Sequence, residues 1–386
     1  MLNLPRIAIA ALFIVPVVLA WPAHAQPSPD EPQPFQEGSW TIVLMPDTQK
    51  YVDLQEKQQY LEVFTAMSQW IVEQKEERNI QLMIHLGDIV DNNTPEEWAM
   101  AKQAISILDN QVPYILVGGN HDYGPNGSSS NRTTLMNQYF RVSDNALNDP
   151  RRGGITKGFF EAGKLDNTYS TFTAPDGRKM LIFGLEFAPR KSVVDWAKRV
   201  AQHASFRDHT AILVTHAYME EGPRDESGAP TAIRSNWAKY GPRRAHNPHS
   251  YGLAKDGKGN QLTGPNAVHD GEELWQNLVS QVDNFQLTLN GHYLDDNDSN
   301  TADGGPATTA MQVDTGSAGQ NVYQMVANYQ QLPNGGDGYM RLLEFLPDGK
   351  TVVVKTYSPT RNRWLNDPNN YFTIELSPIS KPTDSQ

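Results

Sequence analysis

The sequence predicts an α/β fold carrying two β-sheets, on three observations. From Thr41 onward, short β-branched apolar runs (TIVLM, LMIHL, YILVGG) alternate with stretches long enough for several helical turns, the pattern of strands joined by helical crossovers. Later runs at residues 168–174, 180–187, 340–346, 351–358 and 371–376 sit beside Pro175-Asp176-Gly177 and Pro347-Asp348-Gly349, turn sequences that argue for hairpins and antiparallel pairing. Five apolar runs end in a residue of metal-ligand type: Asp47, Asp88, Asn120, His216 and His292.

Residues 1–25 stand apart from this pattern. One positive charge at Arg6 precedes an apolar run from Ile7 to Trp21, followed by Ala23-His24-Ala25, a small-x-small cleavage pattern. The run is broken by Pro16 and falls short of the roughly 20 residues a spanning helix needs. A signal peptide cleaved after Ala25 is therefore expected, with a periplasmic or secreted product and no membrane span in the mature chain. Residues 26–38 are Pro-rich and polar and read as a flexible linker, as does the tail 378–386. Residues 39–377 are expected to form a single domain, with an irregular insertion near 218–266 that is rich in Gly, Pro, Arg, His and Ser.

Helices are expected near residues 53–77 and 95–109. The second is the better specified, because Thr94-Pro95-Glu96-Glu97 offers a capping box with Pro at the first helical position. Trp98, Ala101, Ile105 and Leu108 follow at helical spacing and read as core, as do Leu61, Phe64 and Ile71 in the first helix.

Composition restricts the chemistry. With 32 Lys and Arg against 44 Asp and Glu the net charge is −12, and there is no basic run, so a long nucleic acid is not an expected partner. The absence of cysteine leaves only oxygen and imidazole ligands for a metal. Taken singly, an Asp or Asn after a strand is ordinary turn chemistry, and a lone His is more often a hydrogen-bonded structural residue. Taken together at five strand ends, where α/β sheets gather side chains from distant segments, they form an oxygen and nitrogen set suited to two divalent cations.

The ordered blocks Asp47-Thr48-Gln49, Gly87-Asp88, Gly119-Asn120-His121-Asp122, His216 and Gly291-His292 resemble those of the calcineurin-like metallophosphoesterase superfamily. Its pattern is Asp-x-His, Gly-Asp, Gly-Asn-His-Asp/Glu, a lone His and Gly-His-x-His, and the likeness covers about residues 40–294. The resemblance implies a sandwich of two mixed sheets flanked by helices, and metal-dependent hydrolysis of a phosphate monoester or diester by an activated water. It also implies that Asp88 bridges two cations, that Asn120, His216 and His292 complete the second, and that Asp47 with Gln49 faces the first. His121 would stand beside them as proton donor or charge stabiliser, with Asp122 orienting its ring. Asp91 is a candidate for a supporting role, the alternative being a charge at a helix N-terminus. His85, inside a strand, is expected to be packed and hydrogen-bonded.

Two departures fall on one metal. Gln49 stands where the family has His, and Leu294 where the last block has its second His. The first site is then an oxygen shell, which favours Mg, Mn or Ca over Zn. It is expected to bind more weakly, or to be completed by Asp295, Asp296, Asp298, His246, His249 or His269; for the Asp run the alternative is a solvated turn. The sequence does not choose among Mn, Mg, Fe, Zn and Ca overall. Purple acid phosphatases, a related branch, carry Tyr three residues after the bridging Asp, where this chain has Asp91, so their colour is not expected. The expected substrate is a phosphorylated small molecule. The rival reading is a secreted binding protein that kept the fold and one metal site without turnover; the retained His121 argues against it. A carbohydrate-binding or structural protein would call for an aromatic array or a repeat, and neither is present.

Overall fold

The structure, a computed structural model, describes residues 31–54, 59–224, 230–240, 246–294, 301–302 and 305–379. The expected signal peptide, residues 26–30 of the expected linker, Asp295, Asp296, Asp298 and the tail from residue 380 lie outside them.

Two seven-stranded sheets form a sandwich. The first contains β1 (Trp40–Met45), β2 (Ile80–His85), β3 (Tyr114–Leu116), β15 (Met340–Phe345), β16 (Thr351–Ser358), β17 (Arg363–Leu365) and β18 (Phe372–Glu375). Its order is β17-β16-β15-β1-β2-β3, with β18 also on β16; β1, β2 and β3 are parallel, and β15 joins β1 antiparallel. The second contains β4 (Thr156–Phe159), β5 (Thr168–Thr173), β6 (Lys179–Leu185), β7 (Thr210–Thr215), β10 (Phe285–Asn290), β13 (Thr308–Thr315) and β14 (Asn321–Asn328), in the order β13-β14-β10-β7-β6-β5-β4. Two small hairpins complete the strands: β8 (Met219–Arg224) with β9 (Pro230–Arg234), and β11 (Thr301–Ala302) with β12 (Gly305–Pro306).

Strand alternation builds three apolar layers. Ile42 and Leu44 of β1, with Leu82 and Ile84 of β2, turn inward to meet Ile182, Ile212, Val214, Leu287 and Leu289 of the second sheet. Val43, Met45 and Met83 turn outward, onto the helices Gln59–Glu73 and Pro95–Ile105. Leu181, Phe183 and Leu213 turn outward from the second sheet onto the helices Lys191–Ala201 and Gly271–Asn277. Because both faces of the central strands are buried, they read as continuous apolar runs. The αββα sandwich implied by the family resemblance is thus the fold observed.

The hairpins at residues 175–177 and 347–349 form as expected, one in each sheet: β5 and β6 in the second, β15 and β16 in the first. Several details differ from the sequence reading. Thr94 caps its helix by accepting from the Glu97 amide at 3.4 Å, whereas the Glu97 carboxylate reaches back past Thr94 to the Asn92 amide at 2.7 Å, so the reciprocal half of the box is missing. The helix ends at Ile105 and tightens into a 3₁₀ turn at Ser106–Leu108. The insertion is less irregular than expected, since β8 and β9 lie in it; residues 225–229 and 241–245 are outside the described set. The expected linker is held down from Glu31, which is buried and takes a two-pronged contact from Arg78 (3.2 and 3.0 Å) and one from Lys355 (2.9 Å).

Candidate metal centre

Parallel strands present their carboxyl ends at one edge, and that edge carries the site. Asp47 follows β1, Asp88 follows β2 and Asn120 follows β3, while His216 and His292 follow β7 and β10 of the other sheet. The two sheets are bonded to each other there. His216 Nδ1 lies 2.8 Å from the Leu86 carbonyl, and the His292 amide donates to Asp47 Oδ1 at 3.1 Å.

The chain turns sharply to aim these groups: Asp47 (φ 34°), Asp88 (φ 49°) and His292 (φ 71°) are all left-handed. Such a conformation costs a side-chain-bearing residue about 1–2 kcal/mol. The motif glycines make room for the ligands. A Cβ on Gly119 would stand 2.2 Å from Asp88 Oδ1, and one on Gly291 would stand 2.1 Å from Asp47 Oδ2.

Ligand atoms of Asp88, His216 and His292 lie within 4.8 Å of one another. Among the described residues, Asp47 Oδ2, Gln49 Oε1, Asn120 Oδ1 and His216 Nε2 are buried without a hydrogen-bond partner. His216 Nε2 is 3.1 Å from Asp88 Oδ2 and 3.8 Å from Asp47 Oδ1, but aligned with neither for a hydrogen bond. Each buried unsatisfied polar group costs about 1–3 kcal/mol, so four of them on residues named as ligands are what a cation pair would complete. The donor set fits the metals that the residue pattern implies.

Electrostatics point the same way. Burial drives the Asp47 carboxyl well above the usual carboxylate range, against the pull of His216 and with the help of Asp88. Burial also opposes ionisation of Asp88, but His216 and His121 prevail and hold it below that range. His216 is pushed up to about 9: burial opposes, and Asp88 and Asp47 outweigh it. A divalent cation between these groups would supply the positive charge that the imidazole otherwise provides.

Gln49 is oriented by its surroundings. Its Nε2 donates to Asp91 Oδ1 at 3.2 Å, which turns Oε1 away as the unpartnered atom. Asp91 also accepts from Lys50 Nζ at 2.8 Å, and its main-chain carbonyl lies 2.7 Å from His121 Nδ1. The His121 amide donates to Asp88 Oδ1 at 2.8 Å, while the side chain remains about a third exposed.

Asp122 does not orient that ring. Its carboxylate accepts from the amides of Gly119 (2.7 Å), Ile89 (3.1 Å) and Val90 (3.0 Å), tying the third block to the second. The role expected of Asp122 falls to the Asp91 carbonyl, because three amides from two tight loops converge on Asp122 first. His85 is packed as expected, between Thr48 Oγ1 (2.9 Å) and the Gly87 amide (3.2 Å), and burial lowers it to about 3.

Of the histidines expected to complete the first site, His246 offers its carbonyl to His292 Nε2 at 2.7 Å. His249 pairs with Glu273 at 2.8 Å in a separate group with Asp270. His269 is buried, with Nδ1 unpartnered, beside that second group rather than among the ligands. Leu294 brings no ligand atom. Sequence reasoning missed the aromatic wall: Phe187 lies 5.3 Å from His292 and 6.0 Å from His216, ring to ring, and Tyr251 lies 5.0 Å from Phe187. No motif marks either residue.

Sandwich and ligand edge together define the class: the chain belongs to the calcineurin-like phosphoesterase family, whose sequence profile it matches over residues 41–292. It is similar to the uncharacterized protein YvnB of Bacillus subtilis strain 168, at 26% identity over 351 residues, which is 89% of this chain and 21% of YvnB. A stretch of 45 residues is 44% identical to the probable glycerophosphodiester phosphodiesterase GpdQ of Arcobacter nitrofigilis, covering 12% of this chain and 16% of that protein. These matches take in 21% and 16% of the two relatives' own lengths. Among solved structures, purple acid phosphatase PPD1 from yellow lupin aligns with a TM-score of 0.47 at 14% identity, over 89% of this chain and 55% of that one.

Proposed function

We propose that this protein hydrolyses phosphate monoesters or diesters with the help of two divalent cations held at the strand ends. The observation that carries the proposal is that four buried atoms, on Asp47, Gln49, Asn120 and His216, have no hydrogen-bond partner among the described residues, at the strand edge where Asp88, His216 and His292 bring ligand atoms within 4.8 Å of one another. Two cations held there would supply Lewis acidity, to activate a water near neutral pH and to offset charge on the phosphoryl group.

Asp88 would be shared by both cations, its Oδ1 steadied by the His121 amide. Asn120, His216 and His292 would complete the second, and Asp47 with Gln49 Oε1 the first, which we infer to be the weaker. His121 is the proton-carrying group. With Nδ1 donating to the Asp91 carbonyl, its Nε2 is left for the substrate. Asp122 holds the loops in register. A binding protein without turnover would have no evident use for an exposed imidazole beside Asp88.

The test is turnover of 4-nitrophenyl phosphate and bis(4-nitrophenyl) phosphate with Mg, Mn, Zn or Ca, comparing wild type with Asp88→Asn and His121→Ala. We expect activity in wild type, a fall of 10²-fold or more for Asp88→Asn, and about 10²-fold for His121→Ala. Absence of cleavage in wild type, or an undiminished Asp88→Asn, would overturn the proposal. Export belongs to the same reading and is supported by Arg6, the apolar run and Ala23-His24-Ala25. N-terminal sequencing of the mature protein should then begin at Gln26. Among the described residues no helix is long and apolar enough to cross a membrane.

A further inference from the structure

The insertion carries a tyrosine that no sequence block includes. Leu253 donates its amide to the Ser129 carbonyl at 2.8 Å, and Ser129 Oγ donates to the Asn120 carbonyl at 2.5 Å. Tyr251 is thereby fixed to the loop that presents Asn120 and His121. On its other side the ring meets Phe187 edge-on (5.0 Å, 87°) and lies 6.1 Å from the His292 ring. His292 is itself tied to the insertion through the His246 carbonyl at 2.7 Å. The phenol is thus wedged between the loops of two ligands, one from each sheet.

The phenol's own hydrogen-bonding capacity is unused among the described residues, although the residue is only partly exposed. Held in this way between the Asn120 loop and the His292 ring, the phenol offers an O–H donor with no acceptor among the described residues.

We propose that the Tyr251 hydroxyl donates a hydrogen bond to a non-bridging oxygen of the bound phosphoryl group, which makes the insertion part of the active site. This rests on the phosphoester reading above. The ring sits between the Asn120 loop and the His292 ring, and a neutral donor there that reaches the phosphoryl oxygens, where negative charge gathers as the ester is cleaved, commonly contributes 10-fold or more to rate. The ring's packing on Phe187 and His292 supplies the rigidity that such a contact needs.

The experiment uses the full chain loaded with manganese, as wild type and Tyr251→Phe, which keeps the ring and removes only the hydroxyl. Binding of inorganic phosphate is measured by calorimetry, turnover on bis(4-nitrophenyl) phosphate by absorbance, and manganese content and Tm on the same samples. We expect Tyr251→Phe to bind phosphate about 5-fold more weakly and to lose about 10-fold or more in kcat, with manganese content and Tm unchanged. If wild type cleaves no ester, the functional reading fails while the phosphate comparison still decides the role of the tyrosine. Phosphate affinity within twofold of wild type in Tyr251→Phe overturns the proposal, as does a wild type that binds no phosphate. A loss traced to lower manganese content overturns it too, because the tyrosine would then act only on the metal site.

Discussion

At the residue scale, the centre is set by which atoms have nowhere else to go. Gly291→Ala places a methyl where Asp47 Oδ2 stands, at 2.1 Å, so Asp47 must swing away. Equilibrium dialysis should show the first cation's affinity falling 10-fold or more, with the second retained. Gln49→His restores a nitrogen ligand but removes the amide donor to Asp91; the first cation should bind more tightly and the preference should shift toward zinc. Two equally tight ions in wild type would refute the inferred weakness of that site. The candidate ligands stood out in the sequence because each follows an apolar run, and the structure places each of those runs as a strand. Asp122 was misread because proximity in sequence to His121 says nothing of which backbone amides lie within reach of its carboxylate.

At the element scale, the strands were legible from their apolar runs, and the crossover helices from spacing and caps. Which strands share a sheet was not, because a run buried on both faces carries no mark of its neighbour. The hairpin of β15 and β16 looks like that of β5 and β6, yet only the first joins β1. The segment before β1 was misjudged for a related reason. Its Pro-rich composition hides Glu31, a buried counter-charge to Arg78 and, together with Glu344, to Lys355. Removing one member of a buried pair typically costs about 3–5 kcal/mol, so Glu31→Ala should lower the urea midpoint accordingly, while Glu31→Asp recovers only part. A midpoint unchanged in Glu31→Ala would return the segment to the status of a linker.

At the scale of the whole molecule, pH dependence has a definite sign. The buried Glu186 carboxyl lies below the ordinary glutamate range: burial opposes, and Arg132 and Arg190 prevail. Its contribution to stability is complete above the unfolded-state pKa and is lost as pH falls toward the folded value. Glu186→Gln should therefore be destabilised at pH 7 by about 3 kcal/mol, and this difference should narrow in denaturation curves taken below about pH 4. Chelation should also lower Tm, since a cation present at a hundred times its Kd stabilises by about 2.7 kcal/mol.

The position of β1 between β15 and β2 has a consequence in time. Every proposed ligand has been synthesised by residue 292, but the strand that carries Asp47 gains its second neighbour only at Met340–Phe345. At about 5–20 residues per second, β1 waits on the order of tens of seconds on the ribosome with one edge bare. A chain released near residue 307 would hold all the candidate ligands and lack β15–β18, the strands that flank the free edge of β1. Such a fragment should retain no tightly bound metal, and a chaperone would meet this protein while β1 still lacks its second neighbour.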